Sequence, residues 1–231
     1  MNRRYRIALI AASVVLAVHP QSSPKSVLGQ GWGLDHVVIG LSDPLAAKEI
    51  FSTRLGFSVV PGIKFPAAGF ENGSILLPPG YIELVWPYQK LTDQKGRLAE
   101  MIRLGGGILG YNIDVSPVAE TAAVLRGLGL TVTLPPSKGT LHPDGKEEPG
   151  PWQFVSISEE DTLKVPVGVP GGPEVGFLEY QDNAGVPIKP DKFKLLSEQF
   201  ERYLPDARRL PGDFYANTAR RLASVWVAFP V

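Results

Sequence analysis

Several features that often carry a protein's chemistry are missing from this sequence. There is no cysteine among the 231 residues, which excludes disulfides, thiolate nucleophiles and zinc–thiolate centres. Neither sign of charge is in excess, with 23 basic and 23 acidic residues, so no overall field attracts a polyanion. Walker-type loops, nucleophile elbows and H-E-x-x-H helices are absent as well. The composition is that of an ordinary globular protein, and no nucleic-acid partner is predicted.

Long hydrophobic runs are also scarce, and the one that exists lies at the N-terminus. The basic stretch MNRRYR is followed by IALIAASVVLAV, an apolar run of 12 residues. Such a run fits the core of a signal peptide and is short for a membrane span. We therefore predict a signal peptide and leader over residues 1–26, cleaved after Ala17, and an exported protein with no other membrane span. An uncleaved anchor or an unstructured leader is the alternative.

The rest of the chain divides into two similar halves, each with the order βαβββ. The first, residues 32–104, contains the strand LDHVVIGL, the helix DPLAAKEIFSTRL and the strands FSVVPG, SILLPPG and YIELVW. The second, residues 105–189, contains LGYNIDVS, the helix PVAETAAVLRGL and the strands LTVTLPP, WQFVSIS and EVGFLEY. Strand alternation, helical spacing and Gly/Pro punctuation support each assignment. The sequence therefore predicts an α+β fold made of two βαβββ repeats.

Each half ends in an apolar strand that contains one carboxylate. Glu83 lies in YIELVW and Glu179 lies in GFLEY. A glutamate in a strand most often faces solvent. A buried one requires a cation, a hydrogen-bond donor or a proton. The repeated placement favours the second explanation, in which both carboxylates bind something positive.

The order of these motifs resembles the vicinal oxygen chelate superfamily, and within it the glyoxalase-like branch. The resemblance rests on LDHVVIGLSD and YIELVWPY in the first repeat, on Asn72 before its closing strand, and on HPDGKEEPGPWQF in the second repeat. It covers residues 32 to 182. It implies that the two repeats form an open cup of mixed sheet with the helices outside, around a divalent metal ion.

The resemblance also implies a set of site residues. The metal ligands would be His36, Glu83 and Glu179, converging on one Mg²⁺, Mn²⁺, Fe²⁺ or Zn²⁺ ion. Glu179 or Glu83 would act as the catalytic base. The fourth ligand position, equivalent to His36 in the second repeat, is Gly110. A hydrogen-bonded core histidine is the alternative for His36.

Two functions follow from this reading. One is a metal-dependent lyase, isomerase or dioxygenase acting on a small molecule with neighbouring oxygens. The other is a metal-free module of the same fold, without a cofactor, that binds a small organic ligand. In both cases we predict that the substrate pocket includes Asn72, Tyr81, Asn112 and Trp152. Asn72 followed by glycine also fits a hairpin turn.

The C-terminal segment, residues 190–231, is not needed by the two repeats. DKFKLLSEQFERYL is amphipathic, and LASVWVAFPV resembles the first strand of the first repeat. We predict a helical tail followed by one strand, the start of a third repeat. A lone apolar strand must pair with a sheet edge. We expect residues 223 to 229 to pair within the chain, with a homodimer formed by strand exchange as the alternative.

Overall fold

The computed structural model describes residues 27–31, 33–67, 69–77, 80–88, 97–136, 139–141, 145–162, 174–181 and 185–187. The predicted signal segment and leader, residues 1–26, lie outside the described residues. The same is true of the predicted tail, residues 190–231. No helix within the described ranges is long and apolar enough to cross a membrane.

The first half of the chain follows the predicted order. Its elements are β1 Gly33–Leu41, α1 Pro44–Glu49, a π-helical turn Ile50–Arg54, β2 Val60–Phe65, β3 Phe70–Leu77 and β4 Gly80–Pro87, with α2 Arg97–Arg103 after them. Asp43 begins α1 as predicted, because its carboxylate accepts hydrogen bonds from the backbone N–H groups of Leu45 and Ala46, both at 3.0 Å.

The second half repeats this order and adds a hairpin. Its elements are β5 Gly106–Asp114, α3 Val118–Gly127, β6 Val132–Thr133, β7 Gly139–Leu141, β8 Glu147–Pro149, β9 Trp152–Ile157, α4 Glu159–Thr162 and β10 Glu174–Tyr180. The hairpin β7–β8 is not among the strands predicted from the sequence. The unit boundaries at residues 32–104 and 105–189 stay predictions.

The ten strands form one mixed sheet whose two halves have the same internal order. The order is β6-β9-β10-β5-β1-β4-β3-β2-β7-β8. In each half the first strand runs parallel to the last, as β1 does to β4 and β5 does to β10. The halves join where β1 pairs antiparallel with β5. The predicted α+β fold of two βαβββ repeats is confirmed.

The sheet curls strongly, as a cup requires. Strands β6 and β7 lie eight places apart in the sheet, roughly 38 Å in a flat sheet. The chain from Thr133 to Gly139 spans at most about 22 Å when fully extended. The rings of Phe65 on β2 and Trp152 on β9 also approach each other across the concave face, with centroids 6.4 Å apart.

The convex face of the sheet carries the apolar core. On the second half, α3 packs against the sheet through a buried cluster that contains Val115, Val118, Ala122, Leu125, Val132, Val155 and Phe177. On the first half, buried Ile75, Leu77 and Leu84 are joined by partly buried neighbours that include Phe51 of the π-helical turn. Since side chains alternate along a strand, the residues between these positions face the cup.

One local prediction is wrong. Asn72 and Gly73 do not form a hairpin turn, because they lie inside β3 and pair with Val85 and Leu84 of β4. The chain reverses after Leu77 instead, between β3 and β4. Asn72 is therefore a strand residue, and its side chain is available to the cup.

Candidate functional site

His36 lies near the centre of the cup, on the strand where the two halves meet. It is 4% exposed, and its ring stacks on that of Tyr81, with centroids 4.4 Å apart. The register between β1 and β5 shifts between Leu34 and His36, so Asp35 lies at a β-bulge. The Asp35 carboxylate contacts Nδ1 of His36. An imidazole held in this way keeps one tautomer and one orientation.

The other ring nitrogen of His36 faces two polar side chains. The Asn112 amide nitrogen is 2.6 Å from Nε2 of His36. The Glu83 Oε2 atom is 3.4 Å from the same nitrogen. Because the Asp35 carboxylate accepts from Nδ1–H, Nε2 accepts the hydrogen bond from Asn112 in the neutral ring. The cup thus contains an Asp–His pair with a carboxylate and an amide beside it.

Asn72 fixes the position of Glu83. The Asn72 Oδ1 atom accepts a hydrogen bond from the backbone N–H of Ile63 at 2.8 Å, so its amide nitrogen must point away from β2. That nitrogen donates to Glu83 Oε1 at 2.5 Å. The second oxygen, Oε2, is directed towards His36. The predicted pocket residues Asn72 and Asn112 therefore both contact the His36–Glu83 pair.

A pair of tyrosines continues the polar cluster. The hydroxyl oxygens of Tyr81 and Tyr180 are 3.5 Å apart, and the Tyr180 hydroxyl donates to Asp35 at 3.4 Å. Burial, and after it the neighbouring Tyr180 and Glu83, raises the pKa of Tyr81 well above 10. Burial likewise raises the pKa of Tyr180. Both hydroxyls are therefore protonated hydrogen-bond groups at neutral pH.

Aromatic side chains form the wall beside the tyrosines. Trp152 and Phe154 pack against the buried pair Leu178 and Tyr180, together with Tyr81. Trp152, which the sequence analysis assigned to the pocket, thus lies on the concave face next to the polar cluster. The site combines an apolar wall with a few oriented polar groups, as ligand pockets commonly do.

Glu179 lies elsewhere. It is 3% exposed, and its Oε2 atom accepts from the backbone N–H of Val118 at 3.2 Å and from Gln181 at 3.2 Å. Pro117 precedes α3 and supplies no side-chain cap, so Glu179 takes the part that Asp43 plays for α1. No partner for Oε1 exists within the described part of the chain. The structure does not bring Glu179 to His36 and Glu83.

The strand registers explain why the two glutamates are not equivalent. Glu83 pairs with Val38 in the first half. Aligning the starts of α1 and α3 matches Val38 with Asn112, which pairs with Gly176. The counterpart of Glu83 is therefore Gly176, and Glu179 lies three positions further along β10. An odd displacement turns a side chain to the opposite face of a sheet.

This arrangement does not bring together the three metal ligands, His36, Glu83 and Glu179, that the family resemblance implied. The first half supplies an imidazole and a carboxylate, but the corresponding positions in the second half are Gly110 and Gly176. A Cβ atom at Gly176 would overlap the side-chain oxygen of Asn112, so Asn112 fills the space where a second carboxylate would stand. No group of three or more His, Asp or Glu side chains suited to a metal occurs within the described ranges.

Asp35 and Tyr180 belong to the site although sequence reasoning did not select them as site residues. Simple alternation puts Asp35 on the face opposite His36, and only the bulge brings its carboxylate to the ring. Tyr180 follows Glu179 on β10 and faces the opposite side of the sheet, so the sequence assignment of Glu179 to the cup placed Tyr180 outside it. The catalytic and metal-binding roles predicted for Glu83, Glu179 and His36 stay predictions.

Comparison with known proteins agrees with this architecture. A family model described as glyoxalase-like domain matches residues 34–192. The chain is similar to methylmalonyl-CoA epimerase from Mycobacterium tuberculosis, with 20% identity, 71% of this chain and 96% of that chain covered, and a TM-score of 0.48. It is also similar to a hypothetical protein from Bacillus halodurans, with 17% identity, 65% and 95% covered, and a TM-score of 0.44. No curated protein sequence matches the chain.

The matched family region spans more than half of the chain and includes both repeats of the sheet. The sheet order and the family match support the same assignment, which the motif order had indicated. The chain belongs to the glyoxalase-like domain family.

Proposed function

We propose that this protein is a metal-free module that binds a small organic molecule in the cup. The observation that carries the proposal is the replacement of the second half of the expected metal centre. Gly110 and Gly176 stand at the two ligand positions, and Asn112 occupies the space beside Gly176 and bonds Nε2 of His36. The nitrogen that would bind a metal already has a partner from the protein.

The remaining groups suit recognition of an organic ligand. The aromatic wall of Trp152, Phe154 and Tyr81 offers apolar contact area. Glu83 is held in place by Asn72, and the tyrosine pair presents hydroxyls beside it. A ligand with a flat apolar body and one polar end would use both parts of the site.

The alternative, a metal-dependent lyase, isomerase or dioxygenase, would have to operate with His36 and Glu83 as its protein donors. Measuring metal content separates the two functions. Protein purified without chelators should contain less than stoichiometric divalent metal, and His36→Ala should not change the content. A stoichiometric ion that is lost in His36→Ala would overturn the proposal.

Ligand binding provides the positive test. Metal-free protein should bind small aromatic compounds saturably, as measured by calorimetry. Trp152→Leu should weaken that binding, because it removes a wall residue of the cup. Leu45→Ala is a suitable control, since Leu45 lies on the outside of α1 and is 79% exposed. Equal binding by both variants would contradict the placement of the site.

We further propose that the protein acts outside the cytoplasm. The proposal is supported by the basic stretch and the apolar run at the N-terminus. Fractionation of the native host, with the mature N-terminus determined by sequencing, should recover a chain that begins after Ala17. Recovery of the full-length chain in the cytoplasm would refute it.

A further inference from the structure

Glu83 presents one carboxylate oxygen to the cup without a hydrogen-bond donor among the described residues. Oε1 accepts from Asn72, and the nearest partner of Oε2 within the described chain is Nε2 of His36 at 3.4 Å. The Glu83 side chain is 12% exposed, so a ligand in the cup can reach it. A carboxylate in a partly enclosed site is stabilised by a donor, and most strongly by a charged one.

The imidazole does not supply that donor. Asp35 accepts from Nδ1–H, and Nε2 accepts from the Asn112 amide. Both ring nitrogens of His36 thus have partners other than Glu83 at hydrogen-bonding distance. Glu83 Oε2 is therefore the acceptor that this cluster offers to a ligand placed beside the aromatic wall.

No lysine or arginine side chain within the described ranges contacts Glu83. Lys64, on the nearby strand β2, pairs instead with Glu71 at 3.6 Å. Glu71 precedes Asn72 on β3, so its side chain lies on the opposite face of the sheet from Asn72 and Glu83. Lys64 is therefore engaged on the other face of the sheet and does not pair with Glu83.

The wall around this carboxylate is aromatic. Tyr81 stacks on His36, and Trp152 and Phe154 form an edge-to-face pair, with centroids 6.4 Å apart. Electron-rich ring faces attract cations, with tryptophan the strongest. The same rings favour a flat apolar ligand body. Carboxylate and aromatic rings thus select for the same kind of ligand.

We infer that the cup selects small organic cations, amines with a flat apolar body, over neutral and anionic molecules of the same shape. The ammonium group donates to Glu83 Oε2, and the body lies against Trp152 and Tyr81. An anionic ligand is disfavoured, because it would face Glu83 at close range. This inference rests on the proposed function, since it specifies the ligand of the same metal-free site.

The test uses three probes of nearly equal shape and different charge, namely benzylamine, benzyl alcohol and benzoate. Calorimetric titration of the full chain at neutral pH and low salt should show benzylamine binding about tenfold or more tighter than benzyl alcohol, with benzoate weakest. Raising the salt concentration should weaken benzylamine and leave the alcohol unchanged.

Variants assign the effect to Glu83. Glu83→Gln keeps the hydrogen bond with Asn72 but removes the charge, so benzylamine should lose about tenfold in affinity while benzyl alcohol is unaffected. Glu71→Gln is the matched control, because it removes an equal charge from the neighbouring strand on the other face. That variant should retain the wild-type preference.

The possible outcomes test the cation inference and the proposed binding function separately. Equal affinity for benzylamine and benzyl alcohol overturns the cation inference and leaves the binding function standing. A preference for benzylamine that survives in Glu83→Gln also overturns the inference. No saturable binding of any probe, together with a stoichiometric divalent metal in the protein, overturns the proposed function itself.

Discussion

The two strand glutamates lie on opposite faces of the sheet, and exchanging each for a neutral residue should give opposite phenotypes. Glu83 faces the cup, where Asn72 holds it. Glu179 faces α3, where it caps the helix through the backbone of Val118. We expect Glu83 variants to change ligand binding and Glu179 variants to change stability.

The loss of stability that we expect for Glu179→Ala follows from the contacts of the Glu179 side chain. The Val118 N–H is buried with its residue, which is 5% exposed, and Glu179→Ala leaves that N–H without its acceptor. Loss of a charged hydrogen bond and of the favourable helix-terminal charge should lower the free energy of unfolding by about 2–4 kcal/mol. The Glu179→Gln change keeps an acceptor oxygen.

Replacing Glu179 by its neutral isostere Gln has smaller effects on the free energy of unfolding, and these effects oppose each other. Glu179→Gln loses about 1 kcal/mol of charged hydrogen bonding, but it removes a buried negative charge, and its amide nitrogen takes the place of Oε1, which has no partner within the described residues. That charge lies close to Asp114, whose pKa is raised by burial and then by Glu179. We therefore expect its free energy of unfolding to stay within about 1 kcal/mol of the wild-type value.

Urea denaturation and benzylamine titration of the same three variants provide the assay. Glu83→Gln should lose affinity for benzylamine and keep its free energy of unfolding within about 1 kcal/mol. Glu179→Ala should lose stability, and its folded fraction should bind benzylamine normally. The reasoning is refuted if Glu179→Gln abolishes binding while Glu83→Gln does not, or if Glu179→Ala unfolds like the wild type.

Three further predictions concern stability. Burial and then Glu179 raise the pKa of Asp114 from 3.8 to about 6. The protonated side chain therefore contributes about 3 kcal/mol to the free energy of unfolding below pH 4, and this contribution is lost as the pH rises through 6. Asp114→Asn should remove this pH dependence in urea titrations at several pH values, and a variant whose free energy of unfolding varies with pH in parallel with the wild type would contradict the prediction. Asn72→Ala leaves the Ile63 N–H without its acceptor and should lower the free energy of unfolding by about 1–3 kcal/mol, whereas an unchanged midpoint would show that this contact contributes little. Phe177→Ala removes a side chain that is 6% exposed and should lower the melting temperature by an amount equivalent to about 3–5 kcal/mol, while the exposed Leu45→Ala should stay within about 0.5 kcal/mol.

The order of elements could be predicted from sequence because it depends on local patterns. Strand alternation, helical spacing and Gly/Pro punctuation indicated both βαβββ repeats, and the structure has them. The face on which Glu179 lies could not be obtained in the same way. Its face depends on which residue of β10 pairs with which residue of β5, and a non-local register leaves no mark on the local sequence.

The site was predictable in part. The family resemblance assigned His36 and Glu83 to one site, and the structure places His36 Nε2 and Glu83 Oε2 3.4 Å apart. Asp35 was missed because a β-bulge interrupts the alternation. Asn72 was assigned to the pocket, but its neighbour Gly73 also suggested a turn. The pairing with β4, which puts both residues inside a strand, is a tertiary contact that local propensity does not report.

The hairpin β7–β8 has a consequence for how the chain folds. It belongs to the second half, yet Leu141 of β7 pairs with Lys64 of β2 in the first half. During synthesis, β2 therefore presents an open strand edge until the second half has emerged. Both this pairing and that of β1 with β5 join residues far apart in sequence, which slows folding. We expect the halves to fold in one cooperative step, and the first half expressed alone to aggregate through its open edges.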